Sequence, residues 1–289
     1  MAQIEQVVKI QNQLGEAPMW SPAEQSVYWV DISEKQIFRY QTASGKVDTW
    51  QMDTPISSIG LRAKGGLIVT TEKHFAYFNP QDGSLQQLSA VEEGKAGARM
   101  NDGKVDRQGR FWAGTMTNAP EKTSTLYRLD ADLSVHEMEH DIMVSNGPAW
   151  SPDGRTMYFT DTRLWEIYAY DFDTASGAIA NKRVFAHLPE DQGKPDGMTV
   201  DSEGCVWSAV NHGWRLARFD PQGKLMEEVK LPAEHPTSII FGGANLDEMY
   251  VTTGAMWVAP DQQGSRPADG GLFRVVTGAR GLPEAEFLG

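Results

Sequence analysis

The chain has 289 residues, a net charge of −13, 40% hydrophobic residues, 28 Gly, 15 Pro, 9 Trp and 8 Tyr. Its acidic balance opposes phosphate backbones and anionic lipid, and no stretch approaches the roughly 18 apolar residues of a membrane span, so neither nucleic acid nor membrane is expected as a partner. The aromatic and apolar content is that of a folded core with many turns, and a lone cysteine, Cys205, leaves no internal disulfide and no Cys-based zinc cage.

Met1-Ala2-Gln3-Ile4-Glu5 carries neither a basic segment nor an apolar core before a cleavage site, which points to the cytoplasm. A strand at residues 6–10 then precedes six copies of one pattern: an apolar residue, a turn, and an apolar strand ending in a small polar residue. The first runs from Trp20-Ser21-Pro22 to residues 27–31, the second from Leu61 to 67–71, and the third from Val105-Asp106 through Gly109 to 111–115. The fourth runs from Trp150-Ser151-Pro152-Asp153-Gly154 to 157–161, the fifth from Val200-Asp201 through Gly204 to 206–208, and the sixth from Phe241-Gly242-Gly243 to 249–252.

The starts are spaced by 41, 44, 45, 50 and 41 residues. A second hairpin signature follows most copies, as in Ile37-Phe38-Arg39-Tyr40 before Ser44-Gly45 and Leu216-Ala217-Arg218-Phe219 before Asp220-Pro221-Gln222-Gly223. Two hairpins per period make four strands, the content of one propeller blade. The prediction is an all-β, six-bladed β-propeller with four-stranded blades around an axial channel, residues 1–289 forming a single domain. Only one strand, at 271–276, follows the sixth copy, so the N-terminal strand is expected to close the sixth blade.

The residue four before each start is Glu16, Ser57, Asn101, Asn146, Asp196 or Thr237. All six offer a side-chain oxygen, and pseudo-sixfold symmetry places them on one ring at the channel mouth. Turn-forming tendency alone favours Asn, Asp and Ser at strand starts, but two carboxylates on one ring repel unless a cation or proton intervenes. Oxygen-only donors suit Ca²⁺, Mg²⁺ or Mn²⁺, with Zn²⁺ or Fe²⁺ as alternatives.

Other motifs carry less. His136-Glu137-Met138-Glu139-His140 spells a zinc-protease pattern that works only on a helix, whereas here the repeat requires an outer strand, which holds the two His roughly 13 Å apart. Asp171-Phe172-Asp173 with Gly177 departs from a calcium loop at its fifth and sixth positions and reads as a hairpin turn. No GxxxxGK or GxSxG motif occurs. Cys205 reads as a buried strand residue.

Four motifs in order carry a family resemblance: Leu14-Gly15-Glu16-Ala17-Pro18-Met19-Trp20, Arg99-Met100-Asn101-Asp102-Gly103-Lys104-Val105-Asp106, Ser145-Asn146-Gly147-Pro148-Ala149-Trp150, and Pro195-Asp196-Gly197-Met198. From Leu14 to Phe273 the chain resembles the gluconolactonase and regucalcin family, the senescence marker proteins. The resemblance implies one divalent cation, most simply Ca²⁺, on Glu16, Asn146 and Asp196, and substrate contacts from Arg99 and Asn101. It implies hydrolysis of a small sugar lactone, with Asp196 taking a proton from the attacking water. A metal-dependent esterase or phosphotriesterase, and a calcium- or ligand-binding propeller without catalysis, are the alternatives. The expected partner is a small molecule, and the expected state a monomer or small homo-oligomer. The chain departs from the family where Thr117-Asn118-Ala119 replaces an expected Glu and where Asn211-His212-Gly213-Trp214 replaces a Gly-rich turn, so Asn118, Glu121, His212 and Trp214 are the residues that could reshape the pocket.

Overall fold

The computed structural model describes residues 2–262 and 265–289. Its strands form six four-stranded antiparallel sheets arranged as the blades of a propeller, and the only helical segments among the described residues are the short turns Thr162–Leu164 and Glu190–Gln192. No helix is long and apolar enough to cross a membrane. The inner strands of blades one to six are Gly15–Ser21, Ser58–Leu61, Arg99–Val105, Ser145–Trp150, Lys194–Val200 and Pro236–Gly242.

Inner strands are buried almost throughout because neighbouring blades cover both faces. They therefore read as apolar or small-residue runs without alternation. Outer strands such as Leu225–Lys230 are mostly exposed, and their polar sequences carry little periodic signal. That explains why the strand predicted at 6–10 is displaced to Gln3–Val8, whose first residues are exposed. It pairs with Leu272–Val276 as the outermost strand of blade six, Gln3 opposite Val276 and Val8 opposite Leu272. N- and C-terminal parts of the chain thus share one sheet. Trp20 of blade one stacks on Tyr250 of blade six at 5.8 Å across the same seam.

Between blades three and four the rings of Trp112, Trp150 and Phe172 pack mutually, with centroids no more than 6.0 Å apart. Such contacts fill the wedge between twisted sheets and fix the blades around the axis. At the far ends of the inner strands the C-terminal segment crosses the propeller, with Phe287 N donating to Leu61 O at 2.8 Å and Leu288 N to Gly109 O at 3.1 Å. The opposite mouth carries the ring.

Five of the six inner strands are bulged at or just after their ring residue, with register shifts between Glu16 and Met19, Met100 and Gly103, Asn146 and Ala149, Pro195 and Met198, and Pro236 and Ser238. A bulge bends the strand and re-aims side chains, here toward the axis. At Gly147 the bulge requires φ of 45°, and an added Cβ would lie 2.8 Å from Met198 N. Cys205 is buried as expected but lies one residue before the strand Val206–Asn211.

Candidate functional site

All six ring residues are buried, yet only four face the axial cavity. Ser57 Oγ is bonded to Thr70 Oγ1 at 2.8 Å, and Thr237 Oγ1 donates to Gly15 O at 2.5 Å. Those hydroxyls stitch strands together. Glu16, Asn101, Asn146 and Asp196 lie at the floor of a cavity of about 480 Å³.

Hydrogen bonds fix the amide orientations. Thr162 Oγ1 donates to Pro195 O at 2.9 Å, so it must accept from Asn146, whose Nδ2 stands 2.7 Å away. Asn146 Oδ1 is thereby turned inward, where Asn101 Nδ2 donates to it at 2.8 Å and leaves its second lone pair available. Asn101 Nδ2 also donates to Ser145 O, and Asn101 Oδ1 accepts from Arg99 Nη1 at 2.7 Å. Asp196 Oδ2 accepts from Asn211 Nδ2 at 3.1 Å, whereas Asp196 Oδ1 is buried with no hydrogen-bond partner.

Electrostatics single out the same pair. Burial, followed by the charges of Asp196 and Asp102, pushes the Glu16 carboxyl well above the usual range. Burial likewise pushes Asp196 well up, and the Asn211 hydrogen bond opposes this only in part. Arg99 is brought down by burial to about 10, with Glu16 and Asp196 acting in the other direction, so it keeps its charge at neutral pH. Two buried carboxylates, one with an oxygen that no donor serves, together with an inward amide oxygen, are a donor set that fits a hard divalent cation.

A second ring lies two residues before the first. Leu14, Pro55, Arg99, Val144 and Lys194 occupy this offset and all line the cavity; His235 completes it in blade six. Sequence reasoning found only Arg99, although the constant offset would have yielded Lys194 as well. Arg163 and Trp257 also line the cavity and had no such signal, because both sit in irregular segments. Arg163 Nη1 donates to Ala119 O at 2.9 Å and holds the 117–120 loop to the rim.

Of the four residues expected to reshape the pocket, Asn118 and His212 line it. Glu121 is exposed away from the lining, and Trp214 lies beneath the Arg266 guanidinium at 4.8 Å. His136 and His140 stand on the outer strand Val135–Ile142, paired with Asp130 and Glu137 respectively. Residues 173–177 form a hairpin turn, with Gly177 N donating to Asp173 O at 2.7 Å.

The family model described as the SMP-30/gluconolactonase/LRE-like region matches residues 14–255. Regucalcin of Sus scrofa is 37% identical over 294 residues, covering 99% of this chain and 98% of that protein. A luciferin-regenerating enzyme superposes with a TM-score of 0.92 at 32% identity, covering 99% of each chain. A calcium-binding protein, regucalcin from Agrobacterium tumefaciens, superposes with a TM-score of 0.93 at 24% identity, covering 97% of this chain and 96% of that one, a likeness of fold.

Proposed function

The chain belongs to the SMP-30/gluconolactonase/LRE-like family, and we propose on that premise that it is a metal-dependent hydrolase opening a small sugar lactone of the aldonolactone type to the sugar acid. The carrying observation is Asp196 Oδ1, a buried carboxylate oxygen without a donor, beside Glu16 at the floor of a polar pocket. Glu16, Asn146 and Asp196 would hold the ion, for which Ca²⁺ suits the oxygen donors best and Mg²⁺, Mn²⁺, Zn²⁺ and Fe²⁺ compete. A bound divalent cation supplies the charge that polarises a carbonyl, acidifies a water and stabilises an oxyanion.

Asp196 takes the proton of the attacking water at Oδ1, the oxygen that no donor of the protein occupies. The charged Arg99 guanidinium orients ring hydroxyls. Asn101, with both amide protons committed, reaches substrate through the remaining lone pair of Oδ1. We read residues 1–289 as one cytoplasmic domain, monomeric or a small homo-oligomer, acting on a small molecule.

Exhaustive chelation is expected to abolish hydrolysis of glucono-δ-lactone and related aldonolactones, and readdition of a divalent cation to restore it, with aryl esters and phosphotriesters turned over negligibly throughout. A chelated protein that keeps its lactonase rate sinks the metal-dependent reading; preferential phosphotriester turnover replaces it with the esterase reading; no turnover with any cation leaves a binding propeller. Asn101→Ala is expected to raise KM for polyhydroxylated lactones roughly 3- to 10-fold, the worth of one hydrogen bond, with a smaller fall in kcat. An unchanged KM would remove Asn101 from substrate recognition.

A further inference from the structure

His235 is 1% exposed, and its neighbours determine its tautomer. Asp196 Oδ2 is a carboxylate oxygen that needs a donor, so Asn211 presents Nδ2 to it and turns Oδ1 toward His235 Nδ1 at 3.2 Å. An amide oxygen only accepts, so Nδ1 carries the proton and Nε2 carries a lone pair. Nε2 has no hydrogen-bond partner, and facing it at 3.8 Å is Glu234 Oε2, another acceptor. Acceptors so placed repel unless a proton or a cation lies between them. With the proton held on Nδ1 by Asn211, the gap between Nε2 and Oε2 is open to a cation.

His212 completes the group. Its ring meets His235 edge-on with centroids 4.4 Å apart, and ligating atoms of His212, Glu234 and His235 all lie within 4.8 Å of one another. Trp257 packs on both imidazoles, at 5.6 and 5.2 Å, and holds their planes. His212 also lines the axial cavity, so the group lies at the pocket wall.

We propose that His212, Glu234 and His235 form a second cation site, for a borderline transition metal of the Zn²⁺ class, on the wall of the axial pocket. Two imidazole nitrogens and one carboxylate are a donor set of open zinc sites, and nitrogen donors separate it from the oxygen-only floor. Asn211 fixes the His235 tautomer and at the same time holds Asp196, as supporting partners of metal ligands do. Arg266, ion-paired with Glu234, opposes the incoming charge and limits affinity. In the other compact group of candidate ligands, Asp201, Glu203 and Cys205, both carboxylates are bound by Arg218 and no buried polar atom lacks a partner, whereas in this one His235 Nε2 does.

The test is calorimetric titration of Zn²⁺ into the full chain in saturating Ca²⁺, with the visible bands of four-coordinate Co²⁺ as a second readout. One Zn²⁺ should bind despite the Ca²⁺. His235→Gln should weaken it by more than the roughly 10- to 100-fold that loss of a supporting partner costs, and Glu16→Gln should leave it within about twofold. Since His235 is buried, the exposed His212→Ala provides an independent arm in which the same loss is expected. Zn²⁺ binding that Ca²⁺ displaces, that Glu16→Gln abolishes, or that both His variants retain would overturn the proposal, as would no saturable Zn²⁺ binding.

Discussion

Asp196→Asn is expected to lower kcat for aldonolactone hydrolysis by roughly 10² to 10⁴ at saturating metal, the loss typical of a removed general base. The amide keeps an oxygen where Asn211 Nδ2 donates, because the reverse orientation would set two NH₂ groups face to face. Its own NH₂ then occupies the place of Oδ1, the oxygen that now has no donor. That swap removes the proton acceptor and one ligand position together, so the variant should also need more metal to saturate, Glu16 and Asn146 being left to hold it. Steady-state kinetics at several metal concentrations separate the two effects: full kcat recovered at high metal would remove Asp196 as the proton acceptor and leave either Glu16, the other carboxylate on the cavity floor, or a water that the ion activates without a protein base.

The ring that carries this prediction was legible from a counting argument, because in six repeats of one architecture the ring residue stands at one offset from an apolar start. Which ring members face the cavity was not. Ser57 and Thr237 share the offset with Glu16 and Asp196, and only their bonds to Thr70 and Gly15 withdraw them from the axis. Those partners lie 13 and 222 positions away, and no local pattern announces them. The bulges had a sequence sign in the Gly and Pro residues of Gly15-Glu16-Ala17-Pro18, Asn146-Gly147-Pro148 and Pro195-Asp196-Gly197. His235 illustrates a different limit. Its residue type and offset are visible in the sequence, but its chemistry rests on how Asn211 is turned, which depends on Asp196.

Asp201→Ala is expected to cost about 3 to 5 kcal/mol of folding stability, the range for stripping one partner from a buried charge pair. Asp201 Oδ1 accepts from the N–H groups of Glu203 and Cys205 at 3.0 and 2.9 Å and so closes the turn through Gly204, whose φ is 82°. Oδ2 accepts from Trp207 Nε1 at 3.0 Å and from Arg218 Nη2 at 2.6 Å. Blade three repeats the device, with Asp106 bound to Trp112 Nε1 at 2.9 Å and to Arg110 Nε at 2.6 Å. One carboxylate thus satisfies a turn, a buried indole and an arginine in each of these two blades, and truncating Asp201 leaves the turn, the indole and Arg218 Nε without an acceptor. Glu203 also touches Arg218, at 2.6 Å, but its side chain is 71% exposed, where an ion pair contributes about 0 to 1 kcal/mol. Denaturant unfolding of both variants decides between burial and mere contact as the source of stability: Asp201→Ala should shift the midpoint strongly at unchanged slope while Glu203→Gln barely moves it. Equal shifts would mean that the Arg218 ion pairs, and not the buried turn and indole, hold the blade.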